Sequence, residues 1–364
     1  MKIFIISLLL LSASIHLVAQ SNKVETADTI KYSANIDAVS DTIPNMDLFG
    51  EDTPMDLTLK YDITSFIKNK FKGKYLDAEL IINYKDYSAT KNIRLKARGN
   101  NRREQCFFPP IYLNFKTSPI KTSELKGIKK IKLVTHCSSS KAYTDYILKE
   151  YLVYKLYNIF TDNSFRVKLL NMKYIDTGKK ERNYERFGIL IEPIDLLIKR
   201  TESIEIEANV VKATDVIEEE ADLVALFQYM IGNTDWRIKV GHNMKFIKSM
   251  TKVTPKVTPI PYDFDFAGFV GTHYSHPQEW TSIENVRDRE YMGYCRNNDE
   301  AYLKIIKKFI DKKDEIIETI NSFNYLEERE RESLVKYIEG FYSKIEDTKY
   351  FLSILKDECR KNDF

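Results

Sequence analysis

The sequence predicts an α+β protein in two lobes, a β-rich N-lobe carrying one helix and a mostly α-helical C-lobe. Three observations predict it. From Leu57 to Ile191 apolar residues recur mainly at every second position, the period of half-buried strands. One stretch in that half, Tyr143 to Phe160, changes to helical spacing, with Ile147, Tyr151, Tyr154 and Leu156 near one face. Beyond Pro193 the helical period dominates, and from Ala301 Tyr302, Ile305, Ile306, Phe309 and Ile310 form an inner stripe in a charged background.

Taken in order, Lys2, the apolar run Ile3–Leu11 and the small, mixed residues to Ala19 have the pattern of a signal peptide over 1–19. The run is too short to span a bilayer, and no later segment reads as a membrane span, so no transmembrane anchor is expected. Residues 20–55, rich in Ser, Thr, Asp and Asn, read as a flexible arm. The N-lobe is assigned to 56–192. Ala78, Leu80, Ile82 and Tyr84, then Ile93, Leu95 and Ala97, mark a hairpin with one buried face. Further strands are expected at Ile111–Phe115, around Ile131–Leu133, at Val167–Ile175 and at Phe187–Ile191, the last broken by Pro193. The C-lobe is assigned to 193–364. It opens on a buried helix over Ala221–Ile231 that Gly232 ends. A short hairpin follows at Met244–Ile247 and Val257–Tyr262.

Composition narrows the function classes. Lys plus Arg is 56 and Asp plus Glu is 53, so a net charge of +3 gives no reason to expect nucleic acid as the main partner. None of the four cysteines forms a C-x-x-C pair, which argues against a zinc site. In the oxidising compartment of an exported protein, periplasmic or at the cell surface, a disulfide is allowed, and Cys106 with Cys137 is the preferred pair because both end neighbouring strands.

The chemistry concentrates in the second half. Gly232-Asn233-Thr234-Asp235-Trp236 follows the buried helix, Gly241-His242-Asn243 comes next, and Pro261-Tyr262-Asp263-Phe264-Asp265 ends a strand. Carboxylates and an amide converging from a helix end and a strand end offer oxygen ligands suited to Mg²⁺ or Mn²⁺. Such an ion bridges phosphate oxygens. Upstream, Lys132 lies in a strand and Glu150 in the following helix; a strand lysine paired to a helix glutamate is one way of holding nucleotide phosphates. The turn Arg98-Gly99-Asn100-Asn101-Arg102-Arg103 is rich in donors for an anion. Glu192 closes the strand Gly188–Ile191 where a hinge beside a nucleotide base would stand.

Strand lysine, helix glutamate, two strands, hinge, helix, Asp-containing loop, hairpin and metal aspartate is the linear order of a protein-kinase-like fold. The usual signatures, a G-x-G-x-x-G loop, H-R-D and D-F-G, are missing. Through Arg98-Gly99-Asn100, Lys132–Cys137, Glu150-Tyr151, Gly188–Glu192, Gly232–Trp236, His242-Asn243 and Pro261–Asp265, the chain resembles the CotH-type family of secreted, atypical kinase-like proteins, and within it a Bacteroidetes-like exported branch. The resemblance runs from about Asp77 to Arg296. It implies ATP-dependent transfer of phosphate to a protein Ser or Thr, with ATP and Mg²⁺ or Mn²⁺ as cofactors. It implies Asp235 as the catalytic carboxylate and Asp263 as the metal ligand, with Asn243 and Asp265 accessory; Lys132, Glu150, Arg98, Arg102 and Glu192 would line the nucleotide. Many relatives carry a basic pair after the Arg-Gly-Asn turn where this chain has Cys106-Phe107-Phe108-Pro109-Pro110. Three other readings use the same residues: a pseudokinase or ligand-binding surface protein, a metal-dependent phosphoester hydrolase, and a Ca²⁺-stabilised structural protein.

Overall fold

The alternating segments do form strands, but they close on themselves. The computed structural model describes residues 48–360 apart from 86, 117–126 and 181. The expected signal peptide and most of the expected arm lie outside the described residues; of the arm's last residues, Leu48 and Phe49 are buried. Seven strands make a closed barrel in the order β1-β2-β3-β4-β5-β7-β6. They are β1 (Met55–Tyr61), β2 (Leu76–Tyr84), β3 (Tyr87–Ala97), β4 (Ile111–Asn114), β5 (Lys130–Val134), β6 (Val167–Asp176) and β7 (Tyr184–Ile191). Three helices interrupt them: α1 (Ile63–Lys68), α2 (Asn101–Gln105) and α3 (Lys141–Asn158).

The two-lobed kinase-like architecture expected from the sequence is therefore corrected. Closure comes from β1, whose inward Leu57, Leu59 and Tyr61 fit the barrel interior. β1 pairs antiparallel with β2 and parallel with β6, Leu57 lying opposite Ile82 on one side and Met172 on the other. A closed barrel leaves no sheet edge to satisfy. Nor is there a separate helical lobe. The described residues all belong to one compact unit. Val134, Leu169, Ile189 and Ile191 from the barrel share one continuous apolar core with the helices of the second half.

That second half begins with α4 (Ile194–Arg200) and β8 (Ser203–Glu205), then α5 (Glu218–Ile231). The expected hairpin is β9 (Met244–Ser249) with β10 (Thr258–Pro261), and β8 adds to it to make a three-stranded sheet. Helices α6 (Asp299–Asp311), α7 (Lys313–Asn321), α8 (Glu328–Ile345) and α9 (Thr348–Glu358) complete the chain. No helix among the described residues is long and apolar enough to cross a membrane. The preferred Cys106–Cys137 disulfide is present, and a second, Cys295–Cys359, ties the start of the α6 segment to the end of α9.

Candidate functional site

The site is assembled by the two loops the sequence singles out, both anchored on α5. Every α5 residue from Ala221 to Ile231 is buried, so the helix is a fixed post. Gly232 ends it at φ +63°, and a side chain there would collide with the Tyr337 hydroxyl. The loop after Asp263 docks back onto this helix end, Gly268 N–H donating to Gly232 O at 2.9 Å and Phe269 N–H to Ile231 O at 3.0 Å.

Asp235 is held from three directions. Its N–H donates to Asn233 Oδ1 at 3.0 Å. Its Oδ1 lies 2.7 Å from His242 Nε2, and its Oδ2 accepts from Asn243 Nδ2 at 2.9 Å. The same amide donates to Asp235 O at 2.7 Å. Reciprocal backbone bonds between Arg237 and His242 close the intervening loop. The bond to Asp235 raises the His242 pKa above its usual value, burial opposing it. Asn243, expected as a metal ligand, thus spends its amide donor on Asp235 and keeps only its carbonyl oxygen for a cation.

Asp263 follows β10 in the left-handed region, φ +67°, and donates its N–H to the Tyr154 hydroxyl of α3 at 3.0 Å. Tyr262 N–H donates to Asn243 O at 3.1 Å, which brings the two loops together. Among the described residues the Asp263 carboxylate accepts no hydrogen bond and makes no ion pair. Lys132, on β5, extends its ammonium over the Tyr262 ring, 4.5 Å from the centroid. Burial first, then the positive charge of Arg98, depresses its pKa to about 8, while Asp263 pulls the other way. A desolvated cation thus sits near a carboxylate with no direct partner.

The remaining expected residues are placed otherwise. Glu150 does not pair with Lys132: it is fully buried on α3 and binds Arg102 at 3.0 Å. Arg102, on α2, also approaches Asp265 at 3.5 Å, and Tyr274 donates to Asp265 at 3.0 Å. Asp265 therefore faces Arg102 and Tyr274 instead of standing as a free ligand. Burial, with the Asp263 and Glu150 charges, pushes its carboxyl up to about 8 against the pull of Arg102. Burial raises Glu150 likewise. The two carboxyls share one guanidinium. Arg98, at the end of β3, lies over Tyr112 with 5.6 Å to the centroid. Glu192 is buried, with Arg166 at 3.1 Å and Arg200 at 3.0 Å on its carboxylate, so its side chain closes an ion cluster.

A divalent cation fits this arrangement only in part. Among the described residues no group of three or more His, Cys, Asp or Glu is placed to hold a metal. Mg²⁺ does not need such a cage; one or two carboxylates suffice when substrate phosphates and water supply the other oxygens. Asp263 with the Asn243 carbonyl oxygen is such a pair. The sequence placed Tyr154 only on the inner face of its helix and did not single out Tyr274. Tyr154 carried a signal, since it stands four residues from Glu150 on the same helix face; Tyr274 carried none.

Comparison with known proteins leaves this geometry as the main guide. No family model matches the chain, and no curated protein matches it. Among solved structures it is similar to the proinflammatory kinase CtkA of Helicobacter pylori, with 12% identity over 76% of this chain and 91% of that one, at a TM-score of 0.36. A likeness that loose carries no argument about fold or activity, so the CotH-type resemblance rests on its motifs alone.

Proposed function

We propose that the chain is a phosphotransferase that moves the terminal phosphoryl group of ATP to a protein Ser or Thr hydroxyl. The observation that carries this reading is the Asp263 carboxylate, with no direct partner, near the desolvated Lys132, beside an Asp235 fixed by His242 and Asn243. Carboxylate and ammonium with no direct partners of their own are complementary to a cation–phosphate pair. A divalent cation held by Asp263 and the Asn243 carbonyl oxygen would neutralise phosphate charge. Lys132 and Arg98 hold phosphate oxygens. Asp235 orients the acceptor hydroxyl and receives its proton as that oxygen bonds to phosphorus and the bond to the departing diphosphate breaks. Arg102 and Glu150 serve as the buried brace beneath Asp263, through Asp265. The two disulfides support a working place in an oxidising compartment, consistent with export.

The His242–Asp235 contact favours a second reading, a phosphoester hydrolase with water as acceptor, since an Asp-bound imidazole serves as a proton donor to a leaving group. One experiment separates them. The mature protein is incubated with γ-labelled ATP and Mn²⁺ or Mg²⁺, with and without casein as acceptor, beside Asp235→Asn. Label on protein supports transfer, free phosphate without acceptor supports hydrolysis, and no difference from Asp235→Asn removes both.

A further inference from the structure

Next to the strand that carries Lys132 lies a face of the barrel whose cations make no ion pair among the described residues. Arg94 and Lys96 take outward positions on β3, and Arg98 follows immediately after the strand. Register sets Lys96 opposite Tyr112 and Tyr112 opposite Lys132, while Arg94 faces Asn114 and Asn114 faces Lys130. Neighbouring strands lie about 4.8 Å apart, so each row carries two cations roughly 10 Å apart across one uncharged residue. None of these five cations makes an ion pair or a hydrogen bond among the described residues, and each lies over an aromatic ring. Asp77, opposite Arg94 on β2, makes no ion pair with it. Repulsion of this kind destabilises the free protein and is relieved when an anion binds.

We propose that the outer face of β3, β4 and β5 docks an acidic polypeptide segment in extended form. Alternate residues of a strand project on one face about 6.8 Å apart. An extended chain with a carboxylate at every second residue therefore matches the spacing of Arg94, Lys96 and Arg98. The aromatic rings on the face argue against nucleic acid. Tyr75 already carries Arg94 and Lys96, at 5.2 and 5.6 Å. Tyr112 carries Arg98 and Lys130, at 5.6 and 4.5 Å. Rings covered by cations hold those cations in place and are not platforms for bases. The face ends at Lys132, over Tyr262 and next to Asp263, so a docked segment runs into the candidate site. That this segment is the phosphoryl acceptor rests on the proposed function; the docking itself does not.

The test uses a fluorescein-labelled peptide of alternating Glu and Ser, its Gln–Ser counterpart, and oligothymidylate of equal charge, followed by anisotropy without nucleotide. The Glu–Ser peptide should bind best, with affinity falling as salt rises. Arg94→Gln with Lys96→Gln should weaken it about tenfold, and Lys130→Gln should weaken it alone, with melting temperatures equal to or above that of wild type. Equal binding of the Glu–Ser and Gln–Ser peptides, tighter binding of the oligonucleotide, or indifference to all three substitutions would overturn the docking surface. Peptide binding without transfer of label from ATP would uphold docking and remove the acceptor role.

Discussion

At the scale of single residues, Asp263 is the position where chemistry and backbone can be told apart. Its left-handed conformation suits Asp, Asn or Gly and costs Ala about 1 kcal/mol. Asp263→Asn and Asp263→Gly should therefore keep the wild-type melting temperature while abolishing transfer, and Asp263→Ala should lose stability as well; activity surviving in the Asn variant sinks the ligand assignment. Asp235→Asn should cut turnover by a factor of about 10²–10⁴, the usual worth of a general base, with little change in melting temperature. Lys132 gives a prediction with a sign. Burial lowers its pKa to about 8 from 10.5. Between those values the unfolded chain binds more protons than the folded one, so stability rises with pH there, and the penalty is complete below the lower value. Lys132→Met should melt higher than wild type at pH 7, and the two should converge as pH approaches 10.5. Melting curves that keep a constant gap would contradict the burial of a charged amine.

At the scale of elements, α2 is the part whose role the sequence concealed. It is a five-residue helix, and its job is to deliver Arg102 into a fully buried position between Glu150 and Asp265. The Cys106–Cys137 disulfide closes it immediately after, with Phe108 N–H donating to Cys137 O at 2.8 Å. Removing one member of a buried ion pair leaves the other uncompensated, at a cost of about 3–5 kcal/mol. Arg102→Ala should lose about that much in urea unfolding, whereas Arg102→Met with Glu150→Gln should recover a good part of it. If the double variant is no better than the single, Arg102 acts through packing alone. Glutamate on α3 was legible as an anchor; its partner was not, because strand lysine and turn arginine stand at comparable distances along the chain. Only the path of α2 chooses between them.

At the scale of the whole molecule, barrel and helices should melt together. Leu169 on β6 and Phe309 on α6 are both fully buried in the one core that spans both halves. Leu169→Ala and Phe309→Ala should each cost about 2–5 kcal/mol and shift the same single calorimetric peak; a peak that splits would restore two independent lobes. The sequence by itself determined strands β2 to β7, helices α3 and α5, the helical character from Ala301, the hairpin at β9 and β10 and the two loops that bear Asp235 and Asp263. These follow from periodicity, from Gly232 as a helix stop and from short-range spacing, all of which act within a few residues, and the Cys106–Cys137 pair follows from where two of those strands end. Only the tertiary structure decided that β1 pairs with β6 to close a barrel, that the halves share a core, that Arg102 takes Glu150 from Lys132, and that Glu192 is consumed by Arg166 and Arg200. Each of those joins residues tens to more than a hundred positions apart, or chooses among chemically equivalent cations. Local pattern carries no information on such a choice, because packing and the desolvation of buried charge make it.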